Sequence, residues 1–196
     1  PGQGQPPLVG DVNRNGKTDV YGLYWDYGLP QETYAYEVDT NGAVSFLHDY
    51  SPVLRLPIGL IDADRDSLVE LSLLNFGDST LYFEQPSLTS PPTDFRFGHR
   101  HLEGGLSPGY TPLVYAYLDS DTLIDLLYKG SERDSVDTTQ YKEKVFVAEY
   151  KPQRNNFVRV WSTDFSRDAP WIGGFAVDDF DGDGKMEFAA CELVHG

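Results

Sequence analysis

Positive charge, cysteine and methionine are what this 196-residue chain has least of. Only 15 Lys and Arg stand against 31 Asp and Glu, a formal net charge of −16. Nucleic acids and anionic membranes select basic patches, so both are disfavoured as partners. Cys191 is the single cysteine, which excludes an intrachain disulfide. No apolar run approaches the roughly 20 residues of a membrane-spanning helix, so no membrane insertion is expected. Also missing are a Gly-x-Ser-x-Gly elbow, a phosphate-binding P-loop and a dinucleotide fingerprint. The chain opens on Pro1 and its one methionine is Met186, so a processed product or a piece of a longer protein is expected.

Acid is what is abundant, and it is patterned. Asp179-Phe-Asp-Gly-Asp-Gly-Lys-Met-Glu187 sets Asp179, Asp181 and Asp183 at alternate positions, then Gly184, then Glu187. A tight loop with this alternation turns several carboxylate oxygens inward. A hard cation such as calcium takes six to eight oxygens at about 2.3–2.6 Å, and the backbone carbonyl of Lys185 is placed to add one. One copy reads equally well as an acidic, solvated turn. The pattern recurs, however. Asp11, Asn13, Asn15, Lys17 and Asp19 occupy positions 1, 3, 5, 7 and 9 of a first loop, with Gly16 at position 6. Asp62, Asp64, Asp66, Leu68 and Glu70 repeat the frame, with Ser67 replacing the glycine. A fourth relative keeps Asp119, Asp121 and Asp125 but reads as two residues short. Recurrence of one frame favours Ca2+ binding over acidic decoration.

Around the loops the chain reads as strands. Short apolar runs rich in β-branched and aromatic residues enter and leave each loop, and Asp39-Thr-Asn-Gly42 marks a hairpin turn. Each repeat reads as strand, loop, strand, hairpin, hence four antiparallel strands, and nothing reads as a long helix. With 40% hydrophobic and 14% aromatic residues there is material for a core. The expectation is all-β: a flexible lead-in over 1–7, blade-like repeats over 8–55, 56–111 and 112–170, and half of a fourth over 171–196. Units of four strands repeating in this way describe β-propeller blades.

Two other loop designs are set aside. An EF-hand closes with a position-12 glutamate between helices, whereas Gly22, Leu73 and Ala190 stand there. A dockerin-like module lacks its position-12 acid for the same reason. Gly10 to Val20, Ile61 to Leu71 and Phe175 to Phe188 resemble the FG-GAP/VCBS repeat family, the calcium-loop blades of integrin α-subunit heads and bacterial secreted proteins. That resemblance implies side-chain ligands Asp11, Asn13, Asn15 and Asp19; Asp62, Asp64, Asp66 and Glu70; and Asp179, Asp181, Asp183 and Glu187. It implies position-7 carbonyls from Lys17, Leu68 and Lys185. Three and a half blades cannot close a ring, so the expectation is part of a larger, seven-bladed propeller, completed by further sequence or by another chain.

Beyond calcium the signals are thin. His99 and His101 at alternate strand positions suit a metal or acid–base role, against the blander reading of an exposed polar strand end. Cys191, among apolar neighbours, reads as a buried small hydrophobe. Tyr24, Trp25, Tyr27 and Tyr110 offer rings for sugar stacking, against a core role. The expected function is a non-catalytic module in adhesion, ligand recognition or surface assembly, secreted or on the cell surface, with a protein or glycan ligand. The alternative is a polysaccharide lyase or hydrolase on the same scaffold, for which the Gly98–His101 region and Arg154 are the candidates.

Overall fold

A computed structural model of the chain describes residues 7–24, 32–50, 55–75, 79–100, 113–119, 121, 123–133, 139, 141–164 and 171–193. The chain divides into two compact units, Pro1–Gly98 and His99–Gly196. No α-helix occurs among the described residues, and the only helical piece is a 3-10 turn at Pro152–Arg154.

The first sheet is β1 (Leu8–Gly10), β2 (Thr18–Tyr24), β3 (Glu32–Val38) and β4 (Val44–Asp49), hydrogen-bonded in chain order. The second repeats the arrangement with β5 (Arg55–Ile61), β6 (Glu70–Asn75), β7 (Ser79–Glu84) and β8 (Asp94–Arg100). The third is β9 (Leu113–Ala116), β10 (Asp125–Arg133), β11 (Tyr141–Lys151) and β12 (Asn156–Asp164). A two-stranded sheet of β13 (Trp171–Asp178) and β14 (Glu187–Leu193) follows. The fold is therefore all-β, three up-and-down four-stranded sheets and one pair.

Local chemistry accounts for these elements. Gly42 at φ 81° turns the first hairpin, and the Asp39 carboxylate accepts from Asn41 N and Ala43 N. Such a side-chain-capped turn fixes the register of β3 against β4. In β7 Thr80, Tyr82 and Glu84 are buried while their neighbours are partly exposed, the period-2 pattern of a half-covered strand. β6 is buried on both faces, so it lies at the centre of the packing. β10 runs on through Lys129, Glu132 and Arg133. Opposite charges sustain it: Lys144 Nζ lies 2.6 Å from Glu132 Oε2.

Within the first unit the first strands of successive sheets, β1 and β5, lie against each other. Val12, Tyr21, Ala35, Tyr50, Leu71 and Leu73 form the core there. Each fully buried Leu or Tyr of this set contributes about 1.5–3 kcal/mol of transfer free energy. The second unit follows the same plan, with β9 beside β13, and with Leu127, Val145 and Val147 packed by Leu118, Phe175, Val177 and Phe188. In both units the loop between a sheet's first two strands emerges at a strand end that the core holds still.

Candidate metal centres

One hydrogen-bond frame recurs in all four loops. Numbering each from 1 to 9, the position-2 amide donates to the position-9 carboxylate: Val12 N to Asp19 (2.9 Å), Ala63 N to Glu70 (2.9 Å), Leu118 N to Asp125 (2.9 Å) and Phe180 N to Glu187 (2.8 Å). The position-5 amide donates to the position-3 side chain, at Asn13, Asp64, Asp119 and Asp181. The position-7 amides of Lys17, Leu68, Leu123 and Lys185 donate to position 5. Where position 1 is Asp, its carboxylate also accepts from the amide of residue 16, 67 or 184.

This frame corrects the expectation for the third loop. It is not short: Tyr117 occupies position 1, and Asp119, Asp121 and Asp125 occupy 3, 5 and 9. What it lacks is the position-1 carboxylate. The tight path needs left-handed backbone at two places. Arg14 (φ 54°), Arg65 (φ 63°) and Gly182 (φ 78°) supply it at position 4; Gly16 (φ 80°), Ser67 (φ 74°) and Gly184 (φ 86°) supply it at position 6. Ser67 thus holds a conformation that glycine adopts without a Cβ penalty.

The acids converge. Ligand oxygens of Asp179, Asp181, Asp183 and Glu187 all lie within 4.8 Å of one another, as do those of Asp62, Asp64 and Asp66. In the first loop two asparagines stand for two aspartates, and Asp19 is fully buried. Its Oδ1 has no hydrogen-bond partner, and neither has the buried Oδ1 of Asp62. Unpaired buried carboxylate oxygens in a ring of oxygen donors fit a hard cation. The donor set holds no sulfur or imidazole, which argues against a softer metal.

A second row of acid was not foreseen. In each four-stranded sheet a glutamate on the third strand lies opposite the position-9 carboxylate: Asp19 faces Glu37, Glu70 faces Glu84, and Asp125 faces Glu149. All six are buried. Glu84 joins Asp64 and Glu70 in a further set of oxygens within 4.8 Å. Burial pushes Glu70 up to about 8 and Asp125 up to about 6. Each glutamate has a basic neighbour: Lys17 pairs with Glu37, Arg96 Nε lies 2.9 Å from Glu84 Oε2, and Lys151 pairs with Glu149. Hairpins of unequal length separate these glutamates from their loops, so no fixed spacing signals them. The only sequence-level cue is an acid inside an apolar strand pattern.

The remaining candidates fare differently. His99 is buried with its ring edge-on to Tyr128 and Phe157, so it is not an exposed strand end. Burial, with Arg159 nearby, pulls its imidazole down to about 4. Cys191 is exposed, contrary to expectation. It shares a face of β14 with Glu187 and Ala189, while Phe188, on the other face, is the residue that packs. Arg154 is exposed on the 3-10 turn. Trp25, Tyr27, His101 and Tyr110 lie outside the described residues, as do 1–6 of the lead-in. No helix among the described residues is long and apolar enough to cross a membrane.

No family model, curated protein or solved structure matches this chain. Its repeated four-stranded antiparallel sheets carry acidic clusters able to hold a metal.

Proposed function

We propose that the protein is a non-catalytic calcium-binding module made of β-propeller blades of the FG-GAP/VCBS kind. It belongs at the cell surface or in the medium and acts in adhesion, ligand recognition or surface assembly. The observation that supports this best is the recurrence of one nine-residue hydrogen-bond frame in four loops, with acids gathered at positions 1, 3, 5 and 9 of the fourth and at 1, 3 and 5 of the second. Oxygen-only donors favour calcium over transition metals, and open loops of this kind suit the calcium levels found outside cells. A protein or glycan is the ligand class in keeping with a strongly acidic, calcium-bridged surface.

Calcium acts here as a structural tie. At a free concentration about tenfold above the dissociation constant, each site adds roughly 1.4 kcal/mol to stability. Three complete loops together add about 4 kcal/mol, a large part of ordinary domain stability. Melting the protein in calcium and in chelator tests the metal, and a curve that does not move in chelator would sink it. Screening glycans and surface proteins with and without chelator tests the recognition role, which requires a ligand held only when calcium is present.

A further inference from the structure

The loop resemblance places every cation ligand inside the nine residues. The sheets offer one more. We infer that the glutamate opposite position 9 on the third strand is part of the cation site, so that the sheet, and not the loop alone, builds it. This deepens the calcium reading and rests on it.

Glu84 is the clearest case. Its carboxylate lies with those of Asp64 and Glu70 in a set whose oxygens are all within 4.8 Å of one another. Two oxygens bound on opposite sides of one calcium ion are separated by about twice 2.3–2.6 Å, so the whole set fits a single coordination shell. Glu70 and Glu84 are directly opposite across β6 and β7, at 1% and 6% exposure. Two carboxylates in that relation destabilise a sheet unless a cation or a proton lies between them. Arg96 reaches Glu84 at 2.9 Å and Asp64 at 3.9 Å.

Independent support comes from unpaired oxygens. Each sheet with such a glutamate holds a buried carboxylate oxygen without a hydrogen-bond partner: Asp19 Oδ1 in the first, Asp62 Oδ1 in the second, Glu149 Oε1 in the third. Asp19 is 0% and Glu149 6% exposed, so solvent does not serve them. In the first sheet Glu37 accepts from the side-chain amides of Asn13 and Asn15, the residues at positions 3 and 5. That contact turns the amide nitrogens toward the glutamate and leaves the amide oxygens for the ion. The same position on the third strand therefore adds an oxygen where positions 3 and 5 are aspartates, and orients the donors where they are asparagines.

The test uses the full chain carrying Asp11→Ala, Asp121→Ala and Asp179→Ala, which keeps the second loop intact. Calcium affinity is read by titration, and the water bound to terbium at the site by luminescence lifetimes in light and heavy water. Glu84→Gln is expected to weaken calcium about tenfold or more and to add one water to bound terbium. Glu84→Asp keeps the charge on a shorter arm and should weaken binding less, which also covers misfolding of the glutamine variant. Unchanged affinity and water count in both variants, with binding still abolished by Asp62→Ala, would overturn the inference and leave the calcium reading standing. A parent that binds neither ion overturns both.

Discussion

The side-chain amide of Gln85 donates to the carbonyl of Val12 at 3.0 Å and thereby ties the first loop to the second. The same fully buried amide donates to Ser90 O at 2.7 Å and accepts from Val69 N at 2.8 Å. Val12 and Val69 are position 2 of one loop and position 8 of the next. Arg14 Nη2 adds a second link, 3.3 Å from Ser67 O. Neighbouring acidic loops in the first unit thus share a buried polar connection.

Gln85→Leu fills the same space but strands the Val12 and Ser90 carbonyls and the Val69 amide. The bond to the Val12 carbonyl is buried and the other two are part-buried, so a loss of about 1–3 kcal/mol is expected. Denaturant unfolding in calcium measures it. Calcium titration of the same variant should show the first and second loops weakened together while the loop at Asp179 is unaffected. A variant within about 0.5 kcal/mol of the parent would show that the amide is not a tie.

Ser67→Gly should stabilise the protein. Ser67 sits at φ 74°, where a Cβ costs about 1–2 kcal/mol, and its exposed hydroxyl contributes little. Greater freedom of glycine in the unfolded chain takes back part of that gain, leaving about 0.5–1 kcal/mol. Gly184→Ala, at φ 86°, should move stability the opposite way. Thermal melts of the two variants in calcium give the comparison, and equal signs would contradict it.

The alternation of short apolar runs with acidic loops made the strand order legible, because each side chain's face in a strand follows from its position. Loop positions 1, 3, 5 and 9 were equally legible wherever an acid marked the start. The third loop was misread because its frame was counted from an acid, and Tyr117 begins it instead. Burial was the harder quantity. His99 looks like a polar strand end until Tyr128 and Phe157 cover it, and Glu84 looks like a strand terminus until β6 places Glu70 opposite. Both depend on partners set by pairing and packing over long separations, which residue spacing does not record.

The four loops should not be equivalent. Asp179→Ala and Asp181→Ala each remove a ligand from the fourth loop and should each lower the bound calcium by one ion per chain. Asp119→Ala should change the count little at concentrations that fill the complete loops. Tyr117→Asp supplies the missing position-1 carboxylate and should raise the count by one. Isothermal titration or direct metal analysis after desalting reads the number. Four equal ions in the unmutated chain would show that position 1 is dispensable.

Acid should loosen the second unit through His99. Burial holds its folded pKa down to about 4, below the ordinary value of 6.5. Between those values the unfolded chain binds the proton and the folded chain does not, so unfolding takes up protons and stability falls as pH is lowered. The contribution is complete above pH 6.5 and lost as pH approaches 4, about 3 kcal/mol in all. His99→Phe keeps an aromatic ring against Tyr128 and Phe157 and removes the titration. Melting temperatures of both proteins at pH 7, 6, 5 and 4.5 should converge toward the acid end if the variant is the less stable at pH 7. If it is the more stable at pH 7, the gap should widen there instead. In either case the parent must lose more stability than His99→Phe between pH 6.5 and 4.5. Parallel pH profiles would mean that the imidazole takes its proton inside the folded state, and that its ring contacts do not exclude water.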